Sequence, residues 1–527
     1  MNRALALLGA LLLCACSHPP VRVEVANGIV EGYLEDGVEH YLGIPYAQPP
    51  VGELRWRAPQ PPLDWEGVLA ARDNPEHCSQ PVPFIESLSG SEDCLYLNVW
   101  TPADRPAGPM PVMVWLHGGG FIVGQGSYSD HDGMVLARRG KVVVVTVNYR
   151  LGVFGFMAHE GLLREDPDHP TTGNYGLQDQ TAALRWVRDN IARFGGDPDN
   201  VTLFGQSAGA VSVCAQLVSP QAAGLFHRAV IQSGPCATPL SSVAAVGRLG
   251  DRVSEGLGCR DAADELACMR ARPAGEVAAV HPPDPHFGFG EGYTLWWPSL
   301  DGYVLPLQLL DAFETGRFNR VPVISGSTRD EASLLIWLSH NLRFQPFRAE
   351  EYPARLTYLT GSPELADEVI ARYPLDDYPT AFEAFTASYS DGFFSCPTRW
   401  QTRALSRYTP TWSYQFDYAD APFILPWTED LGAYHAAEIQ YVFGRRMSLF
   451  DRSFDEREAP LVASMMGYWV QFARRGDPNG AGLAPWPAYD GSDQTLLFDL
   501  ENRVATGVHR EACRFWDALP YLRAPYR

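Results

Sequence analysis

Basic residues are scarce in this sequence: 41 Lys and Arg stand against 62 Asp and Glu, a formal charge of -21. Such a field repels polyphosphate, and no stretch gathers a basic stripe, which argues against nucleic-acid binding. The acidity is dispersed and reads as a solubility feature rather than as steering for cationic substrates. Ser/Gly-rich linkers, charge blocks and internal repeats are also lacking. With nothing to divide 527 residues of 46% hydrophobic content, one large domain with long excursions is expected. No CxxC pair or clustered His/Cys spacing occurs, so a metal site is not expected. Past the N-terminus no run of about 18 uncharged apolar residues exists, and the body of the chain is expected to be soluble.

The apolar run that does exist opens the chain. "MNRALALLGALLLCACSHPP" carries one positive charge, then an apolar stretch too short to span a bilayer, then small residues and cysteine, the organisation of a signal peptide. Leu13-Cys14-Ala15-Cys16 resembles the lipobox of bacterial lipoproteins, which implies residues 1–16 as signal, cleavage before Cys16 and lipidation of Cys16. An ordinary secretory signal cut nearby is the alternative. Either leads to export, to the periplasm or outer membrane as a tethered lipoprotein or, in the alternative, to secretion. Residues 17–527 then form the folded domain, in a compartment that permits disulfides. Cys259 and Cys268 lie close in sequence, and Cys78 and Cys94 enclose fifteen residues, a loop whose closure could stabilise the fold by roughly 3 kcal/mol.

β-rich apolar runs alternate with helical patterns, which predicts an α/β fold with a large, mainly parallel sheet flanked by helices. "PVMVWLHGGG" and "KVVVVTVNYR" read as buried strands, and "VTLF", "RAVIQSG", "VPVISGS" and "WSYQFDY" as later ones. Leu177, Leu184, Val187 and Ile191 fall on one face of a helix that "GGDPDN" should break. The next strand, "VTLFGQSAGA", runs into Gly205-Gln206-Ser207-Ala208-Gly209 and then a helical pattern. A G-x-S-x-G turn between strand and helix exposes its serine, and the glycines permit backbone contacts a side chain would block. Ser207 is therefore a candidate nucleophile, with a structural turn serine as the alternative. "HGGGF" (117–121), ending an upstream strand, is the esterase type of oxyanion loop, in which His117 reads as structural.

With these motifs in place, the chain resembles the type-B carboxylesterase family, the cholinesterase-like branch of the α/β hydrolases, in its bacterial para-nitrobenzyl-esterase-like form. The resemblance runs from "YLGIPYAQPPVGELRWRAPQP" near residue 41 to "CRFWDALP" near residue 520 through "EDCLYLNVWTP" (92–102), "FGGDPDNVTLFGQSAGA" (194–210), "RDEAS" (329–333) and "AYHAAEIQYVFG" (433–444). It implies a catalytic triad of Ser207, Glu331 and His435, in the order usual for α/β hydrolases. It implies Gly119, Gly120 and Ala208 as oxyanion donors, Ser233 as a hydroxyl near Glu331, and Gln206 beside the nucleophile. Ion pairs Arg55 with Glu92 and Arg150 with Asp179 follow. So do disulfides Cys78–Cys94, Cys259–Cys268 and Cys396–Cys513, leaving Cys214 and Cys236 as buried thiols. The implied partner is a small-molecule ester, cleaved through a covalent acyl-enzyme that needs no metal or cofactor.

Departures from the family pattern bear on the substrate. Cholinesterases carry glutamate before the nucleophile and a long first disulfide loop that presents tryptophan. Here Gln206 stands instead, and the loop "SQPVPFIESLSGSED" has no tryptophan. Leu334 and Leu335 follow the acid where cholinesterases have aromatics. A quaternary-ammonium site needs aromatic faces and negative charge, so neutral esters are expected, with Trp296 and Trp297 either lining the acyl side or packing in the core. A catalytically silent adhesion module and an interfacial lipase are the competing functions. The first would lack triad members, and the second would need a large apolar lid.

Overall fold

The computed structural model describes residues 18–82, 87–167, 171–280, 296–339, 347–423, 430–447 and 453–519. The expected signal segment, with Cys14 and Cys16, lies outside them. Among the described residues a thirteen-stranded sheet forms the frame. Its strands in chain order are β1 Pro20–Val25, β2 Gly28–Glu35, β3 Val38–Pro45, β4 Val68–Ala70, β5 Tyr96–Pro102, β6 Met110–Leu116 and β7 Val143–Val147. The series continues with β8 Gly196–Gln206, β9 Arg228–Gln232, β10 Val323–Thr328, β11 Thr411–Phe416, β12 Gln494–Phe498 and β13 Arg503–Thr506. Their spatial order is β1-β2-β3-β5-β7-β6-β8-β9-β10-β11-β12-β13, with β4 beside β2. From β7 to β12 every pairing is parallel. Outside that block the path is antiparallel, with hairpins β1–β2, β2–β3 and β12–β13 that need no crossover, and β4 alone adds parallel to β2.

Helices α1 Tyr175–Asn190, α2 Ala208–Val218, α3 Glu331–Ser339, α4 Ile439–Phe443 and α5 Ala459–Arg475 matter most for the site. Alternation along β6 shows how the layers are specified. Val112, Val114 and Leu116 join Leu177, Leu184 and Val187 of α1 and Val211 of α2 in one buried cluster. Met113 and Trp115 join Met465 and Trp469 of α5 in another. Successive side chains of a strand point to opposite faces, so the continuous apolar run of β6 feeds two cores, as expected of a sheet covered on both sides. A third cluster, around Ile336, Phe385 and Trp516, is tied by Cys396–Cys513.

The helix predicted from Leu177 to Ile191 is α1 followed by a 3-10 turn at Ile191–Phe194. It ends where Gly195 takes φ 81°. The following strand begins earlier than "VTLF". β8 takes in Asp197, Pro198, Asp199 and Asn200, with its pairing to β6 irregular between Gly196 and Val201.

Arg55 grips Glu92 through two bonds of 2.6 and 2.5 Å. Arg150 holds Asp179 in the same way at 2.8 and 2.7 Å, both side chains buried. Three disulfides form as expected, Cys78–Cys94, Cys259–Cys268 and Cys396–Cys513. The expectation of free thiols at Cys214 and Cys236 is wrong, because these two are joined. Cys214 lies two turns into α2 and Cys236 just beyond β9, and the packing of α2 on β9 brings their Cα atoms to 6.2 Å. That packing is tertiary, so spacing in sequence gave no sign of it.

Candidate active site

At the end of β8 the chain turns into α2 through Ser207, whose φ is 57° and ψ -123°. A non-glycine residue held at such angles stores strain and is usually pinned by its surroundings. Here the Ser207 amide donates to the Gln232 carbonyl of β9 at 2.9 Å, and Val211 N donates back to the Ser207 carbonyl at 2.9 Å. The flanking glycines are required by contact. A Cβ on Gly209 would lie 2.0 Å from the Leu116 carbonyl oxygen, and one on Gly205 would lie 2.5 Å from that of Gly209. The turn is thereby pressed against the end of β6, where the glycine loop begins.

Gly119 and Gly120 of that loop have φ of 106° and 62°. The Gly119 carbonyl is turned back to accept from Ile122 N and Val123 N, each at 3.0 Å. The N–H groups of Gly119, Gly120 and Ala208 donate to no other described residue, and all three residues line one cavity with Ser207. Ala208 opens α2, so its N–H is among the orphan donors of a helix start. His117 supports the loop from behind. Its Nδ1 lies 2.8 Å from the Gly118 carbonyl oxygen, its ring stacks on Tyr149 at 4.3 Å, and burial lowers its pKa to about 3.

Glu331 begins α3, three residues beyond β10, and is fully buried. Oε1 accepts from Thr328 N at 2.8 Å and Oε2 from His435 Nδ1 at 2.5 Å. The Nδ1–H thus carries the proton, leaving a lone pair on Nε2 able to take another. His435 comes from the loop between β11 and α4, and Asp330 fixes that loop beside Glu331. The Asp330 amide donates to the Ala433 carbonyl at 3.0 Å, and its carboxylate accepts from Ala433 N at 2.8 Å. Phe394 packs on the His435 ring at 5.0 Å.

The residues predicted for the site converge on a cavity of about 420 Å³ lined by Ser207, Ala208, Gly119, Gly120, Gln206 and His435. Glu331 lies behind His435. Two details differ from expectation. His435 Nε2 is met by the Gln206 side-chain amide at 3.1 Å, and among the described residues Ser207 Oγ has no hydrogen bond. Hydrogen bonds of this type often tighten only in the substrate complex. Ser233 Oγ, expected near Glu331, is buried without a hydrogen-bond partner. The backbone of Ser233 is engaged instead, its N–H donating to Gly326 O at 2.8 Å. Of the tryptophan pair, Trp297 lines the cavity and meets Phe121 edge-on at 4.9 Å, whereas Trp296 belongs to the core. Leu334 and Leu335 line the cavity.

Glu438 was not singled out in the sequence. It is fully buried three residues after His435, accepts from Gln232 Nε2 at 3.3 Å through Oε1, and leaves Oε2 without a partner. Burial first, and the nearby Glu331 charge second, raise its pKa to about 7. Its position in "HAAE" is the only signal the sequence held.

A large, centrally parallel sheet with a serine on a strained strand-to-helix turn, facing a histidine paired to a buried glutamate, defines an α/β hydrolase. The whole-chain comparisons carry the class further. The model of the Carboxylesterase family matches residues 19–516, and the chain belongs to that family. It is 37% identical to the para-nitrobenzyl esterase of Bacillus subtilis over 93% of this chain and 97% of that protein. It is 36% identical to the fumonisin B1 esterase of Sphingopyxis macrogoltabida, covering 92% and 87% respectively. Human cocaine esterase is 35% identical over 92% of this chain and 88% of its own length. A solved PNB esterase superposes with a TM-score of 0.79 at 34% identity, over 94% of this chain and 99% of that one. The protein is a type-B carboxylesterase.

Proposed function

We propose that the chain hydrolyses neutral carboxylic esters through an acyl-enzyme on Ser207. Ser207 Oγ bonds to the ester carbonyl carbon as its proton passes to His435 Nε2. The oxyanion is held by Gly119, Gly120 and Ala208 N–H groups, each such donor contributing about 100- to 1000-fold in rate. The carbon–alkoxide bond then breaks, and the alkoxide takes the proton from His435. Water repeats the sequence and frees the acid. Glu331 fixes the imidazole tautomer and stabilises the imidazolium. Before attack, Gln206 must yield Nε2 to the Ser207 hydroxyl. The observation that carries this reading is three undonated amides on one wall with Ser207, facing the His435–Glu331 pair.

Neutral substrates follow from the apolar side chains of Val123, Trp297, Leu334, Leu335, Leu338 and Phe393 around the cavity. Ser207→Ala should lower kcat/KM for an activated short-chain ester by about 1000-fold or more with folding intact. Activity within tenfold of wild type would end the assignment. Export and lipidation at Cys16 complete the proposal. Four disulfides among the described residues fit an oxidising compartment. A fatty-acid probe should label the wild-type protein in a bacterial host and leave Cys16→Ser unlabelled and unbound to membrane. Labelled Cys16→Ser would refute it.

A further inference from the structure

One wall of the cavity carries a charge that ester cleavage does not use. Asp130 lines it, on the short turn Ser129–His131, with its side chain 13% exposed. Among the described residues the basic group within 4 Å of it is His131, whose Nε2 is 3.9 Å away. That contact is no ion pair. His131 Nδ1 lies 3.2 Å from the Gln125 carbonyl oxygen, so the proton sits on Nδ1 and the Nε2 facing Asp130 carries a lone pair. Burial among Trp115, Tyr128 and Phe443 holds the ring neutral, lowering its pKa below the usual value. The arginines of the neighbouring loop are engaged elsewhere: Arg445 with Asp132 at 3.1 Å, and Arg446 with the Ser453 carbonyl at 3.2 Å. Among the described residues Asp130 therefore accepts no hydrogen bond and meets no cation.

The side of the cavity is also defined. His435 returns its proton to the leaving alkoxide, so the alcohol part of the ester lies towards His435. The turn bearing Asp130 packs on α4, which starts four residues beyond His435, with His131 and Phe443 ring centroids 5.9 Å apart. A largely desolvated carboxylate interacts more strongly with charge than one in water, and it is best satisfied by a cationic N–H.

We propose that Asp130 is a subsite for a protonated amine carried on the alcohol portion of the substrate, an amine with at least one N–H rather than a quaternary ammonium. This rests on the Ser207 mechanism above and extends its substrate class from neutral esters to esters with a protonated amine. Neutral esters still fit the apolar walls, and those with a protonated amine add one charge-assisted hydrogen bond. A quaternary ammonium has no N–H to give, and its recognition depends on aromatic faces.

The test uses the full-length enzyme and a series of dimethylaminoalkyl butyrates with two, three or four methylenes. Each is compared by kcat/KM with the isostere in which CH replaces the nitrogen, at a pH where the amine is protonated. At the best length the amine should be preferred about tenfold at low ionic strength. The preference should shrink with added salt and fall to about onefold in Asp130→Asn. Choline butyrate should stay within about threefold of its carbon isostere, and butyrate analogues with the amine on the acyl chain should show no preference. No preference at any length, a preference that survives Asp130→Asn, or one confined to the acyl arm would overturn the proposal. The readout is a ratio of two substrates on one enzyme. It can fail while Ser207→Ala still abolishes turnover, and the two readings are judged separately.

Discussion

At the Ser207 end of the site backbone groups position the nucleophile and supply the oxyanion donors, whereas at the His435 end the essential atoms belong to side chains brought in from distant segments. The elbow and the glycine loop lie against each other at carbonyl contact, and their geometry follows from glycines at fixed offsets within two short motifs. The acid and base meet where Asp330 and Ser333 staple the loop of His435 to the start of α3. The first arrangement resists any added atom. The second is sensitive above all to charge, since Glu331 and Glu438 are buried near one imidazole. Backbone-built geometry is written locally, and side-chain-built geometry is written in the fold.

The sharpest way to break this comparison is at Gly209. Gly209→Ala would set a Cβ 2.0 Å from the Leu116 carbonyl oxygen and 2.7 Å from that of His117, both main-chain atoms. Separating α2 from β6 should cost about 1–3 kcal/mol of stability and, by shifting the serine against its oxyanion donors, about 100-fold in kcat. Urea melts and ester kinetics would check both. A near-wild-type enzyme would mean that the elbow is less constrained than its contacts indicate.

A smaller effect is expected at the other end. The folded pKa of Glu438, about 7, lies above its ordinary 4.5. The proton it gains on folding therefore stabilises the native state fully below about pH 4.5, and that contribution is lost as pH rises through about 7. Glu438→Gln keeps the shape and removes the titration. Its stability relative to wild type should rise across this window, by on the order of 2–3 kcal/mol above pH 7. Urea midpoints at pH 5 and pH 8 would measure it. Parallel pH profiles for the two proteins would show that Glu438 does not titrate there.

The same division explains what could be read from the sequence. Ser207 was legible because a strand, a G-x-S-x-G turn and a helix are contiguous, and α1 because its apolar spacing is periodic. Glu331 and His435 were chosen by family resemblance alone, since nothing in their spacing distinguishes them from other acids and histidines. Asp130 and Glu438 gave no usable local signal. Their significance is burial beside the site, which depends on chain segments hundreds of residues away. The start of β8 was missed because Asp, Pro and Asn read as a turn, although pairing with β6 begins at Gly196. The Cys214–Cys236 bond was missed because it spans the contact of α2 with β9.

That bond encloses a ring of chain running along α2 and back along β9. Gln232, whose carbonyl anchors the Ser207 amide, lies inside the ring. The serine is thus held next to a closed covalent loop, and prying α2 from β9 means opening a sulfur–sulfur bond as well as parting packed surfaces. The redox state of this one cysteine pair thereby bears on the geometry of the candidate nucleophile, because the closed bond limits how far α2 and β9 can part.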